Sequence, residues 1–157
     1  MIANINEMRY RIIVQKKIDE QLNGLIPDIR ALLDLFTQLD PEQDNRNKWK
    51  LEHKQLSNLL GVCGQTDSVE VVIGFIEYQI GRDKYRESWA WEKFGKKLND
   101  KLRILHEKAR GIVGQAMQES LYSNEADRTR ENARVWMELV RLYVGHLRRY
   151  FVYKKPD

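Results

Sequence analysis

Between Phe94 and Ala116 the chain places Phe94, Leu98, Leu102, Leu105, Ala109, Ile112 and Ala116 at successive spacings of 4, 4, 3, 4, 3 and 4. At about 3.6 residues per turn a helix gathers all seven onto one seam, whereas a strand, alternating at every second residue, would scatter them over both faces. The same spacing of three and four recurs along the sequence, and no segment sustains strand alternation. With 157 residues, 42% of them apolar and 32% charged, the chain can bury a core without metal or disulfide and is too apolar to stay disordered. The expected fold is all-α: a compact single-domain helical bundle spanning 1–157, with about five to six helices, the two C-terminal ones long.

Caps and breakers set the expected boundaries. Residues 4–22 form a first helix with Ile5, Met8, Ile12 and Ile13 facing inward, stopped at Asn23-Gly24. Pro27 suits the first turn of a second helix over 27–39, in which Ile29, Leu32, Leu33, Phe36 and Leu39 share a face until Asp40-Pro41. A polar loop or loose helix then leads to a short helix near 53–63, which packs Leu56, Leu59, Leu60 and Cys63 and ends at Gly64. Asp67-Ser68 caps a helix running to Ile80, with Gly74, Phe75, Ile76 and Ile80 in the core and Gly81 just past its end. The seam helix is expected over 89–121. After the polar break YSNEAD the last helix, 125–151, sets Ala133, Trp136, Val140, Tyr143, Leu147 and Phe151 on one stripe.

What the sequence lacks narrows the functional classes. No apolar run approaches the roughly 20 residues that span a bilayer, so no membrane partner is expected. The opening MIANINEMRYRIIVQKK has neither the positive region nor the small-residue cleavage site of a secretory signal. The single cysteine, Cys63, has no partner for a disulfide, and a reducing cytoplasm is the expected location. His53, His106 and His146 are the only histidines, and no spacing of Cys, His and acidic residues suits a metal. Neither a glycine-rich phosphate loop nor a serine-nucleophile motif is present, so no cofactor is expected.

The net charge of +4 is unevenly spread. Residues 1–83 carry 10 Lys and Arg against 13 Asp and Glu, 84–110 carry 9 against 4, and 126–157 carry 8 against 4. An acidic first half and a basic second half point to a polyanionic partner and permit head-to-tail self-association. On the last helix, a rotation of about 100° per residue puts Arg130, Arg134, Arg141 and Arg148 in one narrow sector opposite the apolar stripe. Arginine, whose guanidinium forks onto phosphate oxygens, holds all four places. In the preceding helix Lys93, Lys97 and Lys101 flank the seam on one side, and Lys96, Arg103 and Arg110 on the other. Upstream, Arg82 with Tyr85, Trp89 and Trp91 joins cations to flat stacking surfaces, the mix that single-stranded nucleic acid uses.

The candidate nucleic-acid contacts are therefore Arg82, Lys93, Lys97, Lys101, Arg130, Arg134, Arg141, Arg148 and its neighbour Arg149. On this reading, replacing Arg134, Arg141 and Arg148 together weakens RNA binding and leaves thermal stability nearly unchanged. The plainer alternative makes the cations an ordinary solvated surface and the aromatic residues core.

Two strings, RNKWKLEH (Arg46 to His53) and RLYVGH (Arg141 to His146), approach the pattern of Arg, four to six residues, then His found in HEPN-class ribonucleases. Against this, His146 lies about 140° from Arg141 on an ideal helix. A third possibility is a protein–protein adaptor whose basic rows are dispersed by packing or met by acidic neighbours.

The run KQLSNLLGVCGQTDSVEVVIGFIEYQIGRD and the closing RVWMELVRLYVGHLRRYFVYKK resemble the small helical subunit of CRISPR effector complexes, in particular those of type III systems. The likeness covers about a third of the chain. It implies a non-catalytic, all-helical subunit that packs in several copies along a guide-RNA filament, with other effector subunits as partners, and helps to hold the guide and target strands through basic surfaces. The acidic stretch from Asp40 to Asp44 has no counterpart in that pattern.

Overall fold

The computed structural model describes residues 2–37 and 49–155. It contains five α-helices and, among the described residues, no strand: α1 (Ile2–Thr37), α2 (His53–Gln65), α3 (Val69–Arg82), α4 (Phe94–Ser120) and α5 (Glu125–Lys154), with a 3-10 turn at Trp91–Lys93 leading into α4. The all-α bundle expected from the spacing is observed.

The last helix is its centre. α5 packs against α1, α2 and α4 and touches α3. Its buried residues, Val135, Leu139, Val140, Tyr143, Val144 and Leu147 among them, cover a wider arc than one stripe, as a helix enclosed on several sides requires. Ala133, expected on the stripe, is exposed.

Side-chain bonds fix the directions. Tyr10, Asp28 and Asp34 of α1 meet Glu131, Tyr143 and Tyr150 of α5 in rising order, so these helices run parallel. Lys17 meets Glu119 and Asp28 meets Lys101, which sets α1 antiparallel to α4. Ser57 and Cys63 of α2 meet Arg148 and Arg141 of α5 in reverse order. Glu70, Ile73 and Ile80 of α3 lie against Arg103, Asn99 and Gly95 of α4, also in reverse. The C-terminal ends of α1, α3 and α5 and the N-terminal ends of α2 and α4 therefore gather in one half of the bundle.

α1 is one unbroken helix of 36 residues where the sequence predicted two. Tyr10, Val14, Ile18, Leu25, Ile29, Leu32 and Phe36 are buried at spacings of 4, 4, 7, 4, 3 and 4. That seam crosses Asn23-Gly24 without changing phase, and its burial outweighs the roughly 1 kcal/mol that a helical glycine costs. Pro27 cannot donate to the Asn23 carbonyl, but both residues are exposed, so water can satisfy the freed acceptor. The predicted inward positions Ile5, Met8 and Ile12 are instead 57%, 63% and 67% exposed, and Ile13 packs only at the core's edge. Two apolar faces compete over this stretch. The face carrying Tyr10 wins because that ring lies 5.3 Å from Tyr122 and its hydroxyl donates to Glu131 at 2.7 Å.

The predicted stop at Asp40-Pro41, with Leu39, lies outside the described residues. Trp49 and Leu51, read as part of a polar loop, are buried. Trp49 donates its indole N–H to the Ser88 carbonyl at 3.0 Å and packs its ring against Phe36, Phe94 and Phe151. α2 runs past Gly64 to Gln65, and α3 runs through Gly81 to Arg82 with Asp83 as its C-cap. Ile76 is buried and Phe75 and Ile80 partly so, while Gly74 is exposed. The seam helix starts at Phe94 and not at Trp89 because residues 83–93 turn first. The Asp83 carboxylate accepts the backbone N–H groups of Glu87, Ser88 and Ala90 at 3.3, 3.0 and 2.8 Å, and Arg86, Glu92 and Lys93 adopt φ of 53°, 48° and 63°.

Candidate nucleic-acid interface

The row of four arginines is not a continuous solvent face. Arg141 turns toward α2, where it donates to the carbonyls of Cys63 at 2.8 Å and Thr66 at 3.0 Å and pairs with Asp67 and Glu138 at 3.2 Å each. It thereby satisfies acceptors at the C-terminus of α2, which have no partner within that helix. Arg148 donates to the Ser57 hydroxyl of the same helix at 2.8 Å. Arg134 forks onto Glu131 through two bonds of 3.0 Å, and Arg130 pairs with Asp127. Burial works to raise the Glu131 carboxyl, but the hydrogen bonds from Arg134 and Tyr10 outweigh it and hold the group below its ordinary value. The row was expected to lie free because a single helix shows its own period and not its neighbours; α5 is contacted where one stripe predicted water.

The lysine row is divided as well. Lys101 pairs with Asp28 at 2.8 Å, and the Lys97 ammonium sits 5.3 Å from the centre of the Phe36 ring. Lys93 is exposed, at the left-handed N-cap of α4. On the other flank Lys96, Arg103 and Arg110 pair with Asp100, Glu70 and Glu107. Of the upstream aromatics, Trp89 is core and Trp91 stacks on Trp49, which leaves Tyr85 exposed beside Arg82.

Arg149 stands differently. It is exposed and lines a cleft of about 650 Å³ between α1 and α5, together with Ile26, Arg30, His146, Tyr150 and Tyr153. Arg30 lies over the Tyr150 ring at 5.4 Å, and the Tyr150 and Tyr153 rings stack at 5.9 Å with 27° between their planes. Tyr150 is anchored by donating its hydroxyl to Asp34 at 2.8 Å, while Tyr153 is 77% exposed. Burial and then the charge of Arg149 push the His146 imidazole below its ordinary value, so it is neutral at neutral pH. Two guanidinium groups thus flank an anchored aromatic pair whose outer ring is free to stack, which matches what a flexible strand of phosphates and bases requires. The spacing of Tyr150 and Tyr153 beside Arg149 was a readable signal that the sequence reading passed over. Arg30 carried no such signal, because it joins the cleft only through the parallel packing of α1 on α5.

Of the two strings with the ribonuclease pattern, Arg141 and His146 do not converge. Arg141 is spent on α2 while His146 faces α1. His53 contacts the Lys155 carbonyl and packs edge-on against Phe151, and Arg46 lies outside the described residues. Among the described residues no group of three or more His, Cys, Asp and Glu could hold a metal, and no helix is long and apolar enough to cross a membrane. No family model, characterised protein or solved structure matches the chain.

Proposed function

We propose that this chain is a non-catalytic, RNA-contacting subunit of a ribonucleoprotein effector complex of the type III CRISPR kind. The observation that carries the RNA contact is the cleft in which Arg30 and Arg149 flank the stacked Tyr150 and Tyr153. Most other cations of the second half are held by carboxylates or by neighbouring helices, so the strand contact centres on this cleft, with Lys93 and Arg82 as further exposed cations. The assignment to a CRISPR assembly rests on the resemblance of the α2–α3 segment and the α5 segment to that subunit. Tagged protein isolated from its native cells tests it: co-purification with a defined small RNA and other effector subunits is the expected result.

A second reading, a helical protein–protein adaptor, is favoured by the pairing of the two basic rows and by the exposed Ile5, Met8 and Ile12 on α1. Recovery of protein partners with no RNA would select it.

A further inference from the structure

A second cavity, of about 510 Å³, lies between the N-terminus of α2, the C-terminus of α3 and the turn that follows it. Lys50, Lys54, Arg82, Lys84, Tyr85 and Trp89 are among its lining residues. Ion pairs hold many cations elsewhere, such as Lys17 with Glu119 and Lys154 with Asp34. Here none of the four cations has a carboxylate partner among the described residues; Arg82 and Lys84 lie over the rings of Tyr78 and Tyr85 instead. Acidic side chains line the cavity too, but two of the three have structural duties. Glu52 forms a capping box with Gln55 at the start of α2, and Asp83 accepts three backbone N–H groups of the turn. Glu87 is the third, and is exposed.

Trp89 supplies an independent observation. The residue is 1% exposed, yet its buried indole Nε1 has no hydrogen-bond partner among the described residues, whereas the indoles of Trp49 and Trp136 each donate to a carbonyl at 3.0 and 2.8 Å. An unpaired buried donor is costly, and it is a donor only, so the ligand that completes it must be an acceptor. Four cations without a carboxylate partner among the described residues, and an unpartnered donor on a residue that lines the same cavity, point to an acceptor that is anionic and rich in oxygen.

We infer that this cavity binds a phosphomonoester, with Lys50, Lys54, Arg82 and Lys84 meeting its charge and the Trp89 N–H accepted by one of its oxygens. Tyr85, 71% exposed at the rim, offers a ring on which an attached base can stack. Such a phosphate reaches the site either on a free mononucleotide or at the 5′ end of a strand. The site is separate from the Arg149 cleft, and its test does not depend on strand binding.

The test follows the indole ¹⁵N–¹H signal of Trp89, assigned by its loss in Trp89→Phe, while inorganic phosphate, AMP, and 5′-phosphorylated or 5′-hydroxyl RNA are added to the full chain. The expected result is a saturable shift of that signal with phosphate and AMP, weakened at least about tenfold in the exposed double variant Lys54→Gln/Arg82→Gln. Tighter binding of 5′-phosphorylated RNA than of AMP identifies a strand end as the source; equal binding identifies the free nucleotide. A Trp89 signal unmoved by millimolar phosphate, or one that moves equally in the double variant, overturns the site.

Discussion

Arg130 and Arg141 stand eleven residues apart on one helix and meet opposite surroundings. The Arg130 side chain is 76% exposed with one local partner, whereas Arg141 reaches carbonyls 78 and 75 residues away. Arg141→Ala strands those acceptors at the end of α2 and is predicted to cost about 1–3 kcal/mol. That is a fall of roughly 2–4 °C in Tm per kcal/mol for a chain of this size. Arg130→Ala should stay within about 0.5 kcal/mol of the parent, and calorimetry on the pair separates a structural arginine from a surface one. The residue types and the period of the row were legible in the sequence. The acceptors from α2 were not, because nothing local to α5 encodes what packs beside it. Protons report the same long-range contacts. Burial first, and then the carboxylates of Glu131 and Asp28, hold the hydroxyls of Tyr10 and Tyr143 protonated well above the ordinary 10.0. Above about pH 10 the unfolded chain loses protons that the native state keeps, so stability falls as pH rises. Tyr143→Phe, which has no proton to lose, should show a shallower alkaline decline in its urea midpoint, even though it forfeits the Asp28 bond at neutral pH.

At the scale of elements, the spacing of apolar residues located the helices, and the breakers misplaced their ends. Gly24, Gly64 and Gly81 have the character of stops, yet each lies inside a helix: beyond Gly24 the burial of Leu25 and Ile29 exceeds the cost of one glycine, whereas α2 and α3 run only one residue past Gly64 and Gly81. A Cβ at Gly24 would meet nothing within 4 Å, so Gly24→Ala should raise stability by about 0.5–1 kcal/mol, measured as a higher urea midpoint. Gly95 is the opposite case. A Cβ there would lie 2.6 Å from the Ile80 side chain and 3.0 Å from the Trp89 carbonyl, where α3 crosses the first turn of α4. Gly95→Ala should therefore destabilise, by about 1–3 kcal/mol for the forced shift. The helix over residues 2–37 also shows why an amphipathic pattern can mislead. Ile5, Met8 and Ile12 have helical spacing as good as Tyr10, Val14 and Ile18, and only the position of Tyr122 and Glu131 decides between the two faces.

Across the whole molecule, the parallel course of α1 and α5 and the reversed course of α2 and α4 bring the Arg149 cleft and the Trp89 cavity into the same half of the bundle. The basic second half of the sequence is thereby joined to Arg30, Lys50 and Lys54 from the acidic first half, a convergence that no linear charge count reveals. The central claim, that this half faces a strand of RNA, is tested most directly by fluorescence anisotropy of single-stranded 5′-hydroxyl RNA with the parent chain and with Arg149→Gln/Tyr153→Ala, across a range of salt. The account predicts weak binding by the parent whose log K falls linearly with log salt, by about 0.7 per phosphate contact. The double variant should keep its Tm, bind about tenfold or more weakly, and show a smaller salt slope. Absence of binding at low salt, binding indifferent to salt, or a folded variant that binds as tightly as the parent would contradict it.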